Sequence, residues 1–245
     1  MIIFDYLMNV KEEKGAGYLP LIDPEKAEDK NFENILENLK DEGIDAILVG
    51  GSTFNNIDLS SIIKRIKEKT QKPVIIFPGG HYQVSQEADA IFFLSLLSGR
   101  NPEFLIGEHA KAAPLIKSYS LEVIPVAYLL IESGNYTSVE FVSNTKPIPR
   151  EKKNLIKSHA LAGEYLGMKM CYMDTGSGAK YSVPENVIKS VKDYISIPLI
   201  VGGGIKTPDE ANEKVRAGAD FVVTGSIIEK NPHLLNEFSK AIHNP

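Results

Sequence analysis

Short apolar runs alternate with amphipathic stretches along this 245-residue chain, and the last two runs end in glycine-containing turns just before a helix start. Eight such runs can be counted, and the pattern predicts an α/β fold: a TIM (β/α)8 barrel with an N-terminal plugging helix and a shortened or irregular third helix. A hydrophobic content of 43% is enough for one large core, so residues 1–245 are expected to form a single barrel domain.

Residues 3–14 carry apolar and charged side chains at helical spacing until Gly15-Ala-Gly17 breaks the pattern; they supply the plug for the barrel floor. Leu19-Pro-Leu-Ile22 is the first strand and ends at Asp23. Phe32, Ile35, Leu36 and Leu39 mark a helix with one buried face, stopped at Gly43. Ala46-Ile-Leu-Val49 is a continuous apolar run, as a parallel strand covered on both faces requires, and it finishes at Gly50-Gly-Ser52. Ile62, Ile63 and Ile66 mark the next helix, and Pro73 precedes strand three, Val74-Ile-Ile-Phe77. The link from Gly80 to Ala88 is too short and polar for a full helix, and Ala90-Ile-Phe-Phe-Leu94 follows as strand four. A helix over 104–119 leads to strand five, Val123 to Ile131, with Pro125 expected at its start or at a bulge.

Residues 132–150 read as a long polar loop, and its 136–150 portion is a candidate cover for a site, since loops this long in compact domains are usually functional or mobile. Leu155, Ile156, Ala160, Ala162 and Leu166 mark the helix before strand six, Met168 to Met173. Ser182-x-x-Glu185 has the spacing of a capping box opening the helix of Val187, Ile188, Val191 and Ile195. Strand seven runs from Pro198 to Gly202, and Thr207-Pro208 caps the helix after it. Phe221 to Thr224 is strand eight, and Asn231-Pro232 is the expected cap of a closing helix carrying Leu234, Leu235, Phe238 and Ile242.

A net charge of −5 with both signs interspersed, and no long basic run, gives nucleic-acid binding no electrostatic support. No apolar run is long enough to span a bilayer, and the opening Met-Ile-Ile-Phe-Asp-Tyr lacks the pattern of a secretory signal, so a cytoplasmic protein is expected. Cys171 is the only cysteine, which rules out an internal disulfide; on a strand, a small buried thiol is the default reading.

In a barrel of this class the strand ends share one face, so Asp23, Ser52, Asp174, Gly203, Gly204, Gly225 and Ser226 should meet at a common mouth. Glycine turns that open helices expose backbone N–H groups where a phosphate can approach. Thr175-Gly-Ser-Gly178 adds a third such turn beside strand seven. With oxygen ligands, amides and hydroxyls but no histidine or cysteine cluster, the site suits phosphate and a hard cation such as Mg²⁺. Asp174 reads as a helix cap, a solvated carboxylate or an acceptor for a substrate hydroxyl, with its position favouring the last. Asp23, before Pro24-Glu25, reads equally as a helix N-cap or a metal ligand. His81 alone of the five histidines falls near the mouth.

These residues carry a resemblance. Leu21-Ile-Asp-Pro-Glu-Lys26, Ala46-Ile-Leu-Val-Gly-Gly-Ser52, Phe77-Pro-Gly79, Ala88 to Leu97, Asn101-Pro102, Tyr172-Met-Asp-Thr-Gly-Ser-Gly-Ala179 and Val201-Gly-Gly-Gly-Ile205 span nearly the whole chain in family order. With them the chain resembles geranylgeranylglyceryl phosphate synthase and its relatives. The resemblance implies a TIM-barrel prenyltransferase that joins a polyprenyl diphosphate, geranylgeranyl above all, to the 3-hydroxyl of sn-glycerol 1-phosphate and releases diphosphate. It implies Mg²⁺ on Asp23 and Ser52. It further implies glycerol 1-phosphate on Tyr172, Met173, Asp174, Thr175, Gly176, Ser177, Gly178, Gly203, Gly204, Gly225 and Ser226, with Asp174 as the catalytic group. Phe92, Phe93, Leu94, Phe104 and Tyr128 are candidate linings for the prenyl tail, with core packing the default for most of them. A homo-oligomer and a transient membrane contact for the lipid product are expected. Two departures stand out: the family usually has Glu where this chain has Asp174, and one branch, with bacterial heptaprenyl relatives, has Lys where this chain has Leu21.

Competing readings are a relative using a longer, heptaprenyl donor, another phosphate-binding barrel enzyme such as an isomerase or lyase, and a barrel kept as a binding or structural subunit. Intact Asp23, Ser52 and Asp174 speak against the last.

Overall fold

The computed structural model describes residues 2–28, 31–41, 43–52 and 58–244. Helix α1 (Ile3–Lys14) precedes β1 (Gly17–Tyr18) and β2 (Leu21–Ile22), which are two halves of one extended segment. Then follow α2 (Phe32–Asn38), β3 (Ile47–Val49), α3 (Leu59–Thr70), β4 (Val74–Ile76), β5 (Ala90–Leu96), α4 (Glu108–Ser118), β6 (Glu122–Leu130) and the short α5 (Ser138–Ser143). The chain continues through α6 (Lys153–Tyr165), β7 (Met170–Asp174), α7 (Glu185–Lys192), β8 (Leu199–Gly202), α8 (Pro208–Arg216), β9 (Phe221–Val222), α9 (Ser226–Lys230) and α10 (Leu234–His243).

All strand pairs are parallel, in the order β1-β9-β8-β7-β6-β5-β4-β3-β2. Residues 17–22 close the barrel. On one side the Leu19 N–H donates to the Val222 carbonyl (3.0 Å), and on the other the Leu48 N–H donates to the Pro20 carbonyl (2.9 Å). Side chains alternate across each strand, so on β7 Met170 and Tyr172 join the barrel interior while Cys171 and Met173 pack against the helices. Burial pushes the Cys171 thiol up to about 12, which leaves it an inert core group.

Helix α1 plugs the floor as expected, with Ile3 and Leu7 packed into the interior cluster. Its first N–H groups, on Ile3 and Phe4, donate to the Glu122 carboxylate at 2.5 and 2.9 Å, where the positive end of the helix favours an anion. Between β4 and β5 the chain forms turns only, so the third helix of the regular pattern is missing.

Several expectations are corrected. Pro125 lies well inside β6, paired with Phe93, and its carbonyl accepts from the Lys169 N–H (2.9 Å). Its missing donor faces the region before β7 starts, so no ladder bond is lost. Ser182 and Glu185 form no capping box: Pro184 holds the cap position of α7, Ser182 donates to Glu210 and Glu185 binds Lys214. The closing helix α10 starts after His233, not at Asn231-Pro232. The segment 132–150 is not all loop but holds α5, and α9 is an added short helix after β9. On α6 the buried face is Ile156, Ala160 and Gly163, while Leu155 and Leu166 face solvent.

A buried carboxylate ties the floor together. Asp45, just ahead of β3, accepts from the Tyr18 N–H (2.7 Å) and Lys14 Nζ (2.6 Å) and lies 2.9 Å from His243 Nε2. Burial pushes its pKa up, but the bonds from His243, Lys14 and Tyr18 outweigh it and hold the carboxyl below its ordinary 3.8. A depressed carboxyl stabilises the fold above its unfolded pKa, and that contribution is lost as pH falls through 3.8 and below. Asp45→Asn should therefore cost about 3 kcal/mol at pH 7 and flatten the acid limb of stability, measurable by urea unfolding across pH.

Candidate active site

The C-terminal ends of the strands surround one cavity of about 860 Å³. Asp23 after β2, Ser52 after β3, Asp174 at the end of β7, Gly203 and Gly204 after β8, and Gly225 and Ser226 after β9 all line it. Gly176, Ser177, Gly178 and Tyr172 do so too. Met173 and Thr175 do not. Met173 points outward into the helix layer by strand alternation, and Thr175 is fully buried behind the wall with its hydroxyl unpartnered.

The glycine turns are dictated by close approach. Gly203 and Gly204 sit at φ +77° and +69°, in the left-handed region that side chains disfavour. A Cβ on Gly203 would lie 2.4 Å from Asp174 Oδ1, and one on Gly204 2.9 Å from the Ser182 nitrogen. The loops after β7 and β8 therefore touch backbone to backbone. Across the same end, Ser177 Oγ and Ser226 Oγ are 3.1 Å apart, and Ser226 is the first residue of α9. Hydroxyls and glycine backbone from three loops thus converge on a space that suits a tetrahedral oxyanion.

Asp174 is 7% exposed. Its Oδ2 accepts from the Tyr128 hydroxyl (2.5 Å) and its Oδ1 from the Gly176 N–H (2.9 Å). Burial raises its pKa, which these bonds only partly counter, so the carboxylate is a better proton acceptor than a surface aspartate. The rings of Phe77, Tyr128 and Tyr172 meet edge to face at centroid distances of 5.4–6.1 Å beside it. Burial also pushes both tyrosine phenols well up, keeping them neutral.

Asp23 takes the capping role its spacing allowed and keeps its second oxygen clear of it. Its Oδ1 accepts from the Glu25 N–H (3.0 Å), capping a 3-10 turn (Pro24–Glu28), while a Cβ built on Gly51 would lie 3.3 Å from Oδ2. The second oxygen thus reaches the loop that carries Ser52. Burial raises the Asp23 pKa.

The apolar side of the cavity holds Leu94, Phe104 and Tyr128, as expected, with Phe77, Val139 and Val142. Phe92 and Phe93 do not line it; with Leu94 and Phe104 they border a smaller adjoining pocket of about 50 Å³ beside the β4–β5 link. His81 stays outside the main cavity, 2.8 Å from Glu108 Oε2. Sequence reasoning missed Val139 and Val142, since a six-residue helix in a polar stretch has too short a pattern to read. It also missed Lys180 and Lys206, which any solvated face could carry.

A closed parallel barrel with glycine turns and a buried carboxylate gathered at the C-terminal ends of its strands defines a TIM-barrel protein with its candidate site at that rim. Residues 8–243 match the model of the PcrB family, and the chain belongs to that family. It is 39% identical over 241 residues to geranylgeranylglyceryl phosphate synthase of Spirosoma linguale, covering 98% of this chain and 95% of that one. To the synthase of Pyrococcus abyssi it is 46% identical over 226 residues, covering 91% and 89%. Among solved structures, (S)-3-O-geranylgeranylglyceryl phosphate synthase from Thermoplasma acidophilum, in complex with its substrate sn-glycerol-1-phosphate, superposes with a TM-score of 0.92 at 38% identity, covering both chains fully. The tryptophan synthase α subunit of Legionella pneumophila, at TM-score 0.60 and 19% identity and full coverage of both, shares the barrel alone.

The Tyr128 bond makes a prediction. Because the phenol donates to the carboxylate, Tyr128→Phe should raise the Asp174 pKa further, seen as a shift to higher pH in carbon-13 carboxyl NMR titration.

Proposed function

We propose that the protein is a prenyltransferase that joins a polyprenyl diphosphate to the 3-hydroxyl of sn-glycerol 1-phosphate, giving an ether-lipid precursor and diphosphate. The observation that carries this reading is the juxtaposition, in one cavity, of the glycine cradle, the buried Asp174 and an apolar wall. An anion site beside an apolar wall matches a pair of substrates that brings phosphate groups and an apolar chain together.

In this reading the glycerol phosphate sits with its phosphate against Gly176, Ser177, Gly178, Gly203, Gly204, Gly225 and Ser226, which fixes its free hydroxyls relative to Asp174. The carbon–oxygen bond of the allylic diphosphate breaks, and positive charge develops at the terminal prenyl carbon. Phe77, Tyr128 and Tyr172 line the cavity on this side, and electron-rich aromatic faces favour a cation. The glycerol 3-hydroxyl oxygen forms the new bond as Asp174 takes its proton, and diphosphate leaves. The prenyl tail lies along Leu94, Phe104, Val139 and Val142. Geranylgeranyl diphosphate is the donor we favour.

Asp23 and Ser52 offer one carboxylate and one hydroxyl at the cavity edge, and no group of three histidine, cysteine or acidic side chains able to hold a metal exists among the described residues. That donor set fits Mg²⁺, which keeps several waters and takes its remaining ligands from substrate phosphates. When bound there, the ion supplies charge compensation for the departing diphosphate. No helix among the described residues is long and apolar enough to cross a membrane. Residence in the cytoplasm and assembly into a homo-oligomer belong to the same proposal.

The experiment is to incubate the protein with sn-glycerol 1-phosphate, Mg²⁺ and prenyl diphosphates of graded length; product with none of them ends this reading. Asp23→Asn should leave circular dichroism unchanged yet reduce turnover by about a hundredfold or more. Unreduced turnover would leave Asp23 as a cap alone. Asp174→Asn should lower kcat by about a hundredfold to ten-thousandfold with little change in KM.

A further inference from the structure

We propose that Lys206 and Lys180 form the cationic half of the phosphate site and bind the phosphate dianion of the glycerol phosphate; this rests on the reading given above. Charge in the cavity is divided. Asp23, Glu25 and Glu229, with Lys230 beside them, lie on its β2 and α9 side, where the Asp23 N–H donates to Glu229 Oε1 (3.4 Å), whereas Lys180 and Lys206 lie without acidic neighbours in the lining beside the glycine turns after β7 and β8. Glycine amides carry only partial charge, so a dianion held in a cavity with acidic groups opposite gains from full positive charges on its own side.

Neither ammonium is committed to an acidic side chain among the described residues. Lys206 Nζ donates to the Lys180 carbonyl (2.9 Å), and Lys180 Nζ lies 5.0 Å from the centre of the Tyr181 ring. Each therefore keeps donors for an incoming phosphate. The backbone beneath them is braced rather than loose. The Lys206 N–H donates to Glu210 Oε2 (2.9 Å), Ser182 donates to the other oxygen of the same carboxylate, and the Lys180 N–H donates to Asn135 Oδ1 (2.7 Å). Buried Lys214 stands 4.0 Å behind Glu210 and balances its charge from within. Glu210 thus locks the two loops to each other, and both lysines are launched from fixed points while their side chains remain exposed.

The test uses inorganic phosphate as probe and the free protein without prenyl donor. Phosphate affinity, measured by phosphorus NMR titration, should fall about tenfold in Lys206→Met and Lys180→Met, with a shallower salt dependence, and should be retained in Lys206→Arg. In turnover assays the KM for glycerol phosphate should rise by a similar factor while the KM for the prenyl diphosphate moves less than about twofold. Unchanged phosphate affinity in both methionine variants overturns the proposal, as does an increase confined to the prenyl diphosphate KM. Because phosphate titration needs no turnover, lysine-dependent binding in a protein inactive with every donor would sink the prenyltransferase reading and sustain the cationic site.

Discussion

Everything at the active end depends on the closure of the parallel sheet through residues 17–22, whose backbone bonds β9 with one edge and β3 with the other. Closure leaves no free edge, and because all strands run the same way, the residue that ends each one arrives at the same rim. Asp23 and Ser226 are about as far apart in the chain as two site residues can be, yet they share one cavity. The floor is held by different means: α1 fills it, Glu122 caps that helix, and Asp45 gathers α1, β1 and α10. Stability and chemistry are thereby assigned to opposite ends of the barrel, so changes at the rim need not disturb the floor.

The rim itself is sorted by polarity. One arc is glycine, serine and lysine, one carries Asp23, Glu25 and Glu229 with Lys230 beside them, and a third is apolar, with Asp174 and its tyrosine partner between them. The missing helix after β4 matters to the apolar arc. Where a regular barrel would place a helix, this chain has turns, and the pocket bordered by Phe93 and His109 adjoins the main cavity there. Asp174, short as its side chain is, is met by the Tyr128 hydroxyl, which reaches its carboxylate directly.

Much of this was legible in the chain. Strands covered on both faces must be apolar throughout, so Ala46–Val49, Val74–Phe77 and Leu199–Val201 announced themselves, and glycine at their ends marked where backbone must approach backbone or ligand. The errors share a cause. Ser182 and Glu185 have capping-box spacing, but Glu210 and Lys214, from the next helix, offered them stronger partners. Pro125 reads as a strand start or a bulge because the sequence does not say that the neighbouring strand starts late enough to need no donor. For Met173, which the resemblance places at the site, the two-residue alternation of β7 turns the side chain into the helix layer.

Composition and periodicity by themselves determined the class of fold, the eight strands and the residues that end them, because burial on two faces and tight turns restrict residue choice locally. Only the tertiary structure decided which of those ends are wet or buried, which carboxylate is held by a phenol and which caps a turn, and on which side of the cavity the lysines stand. Those properties depend on neighbours contributed by distant parts of the chain, and local sequence carries no record of them.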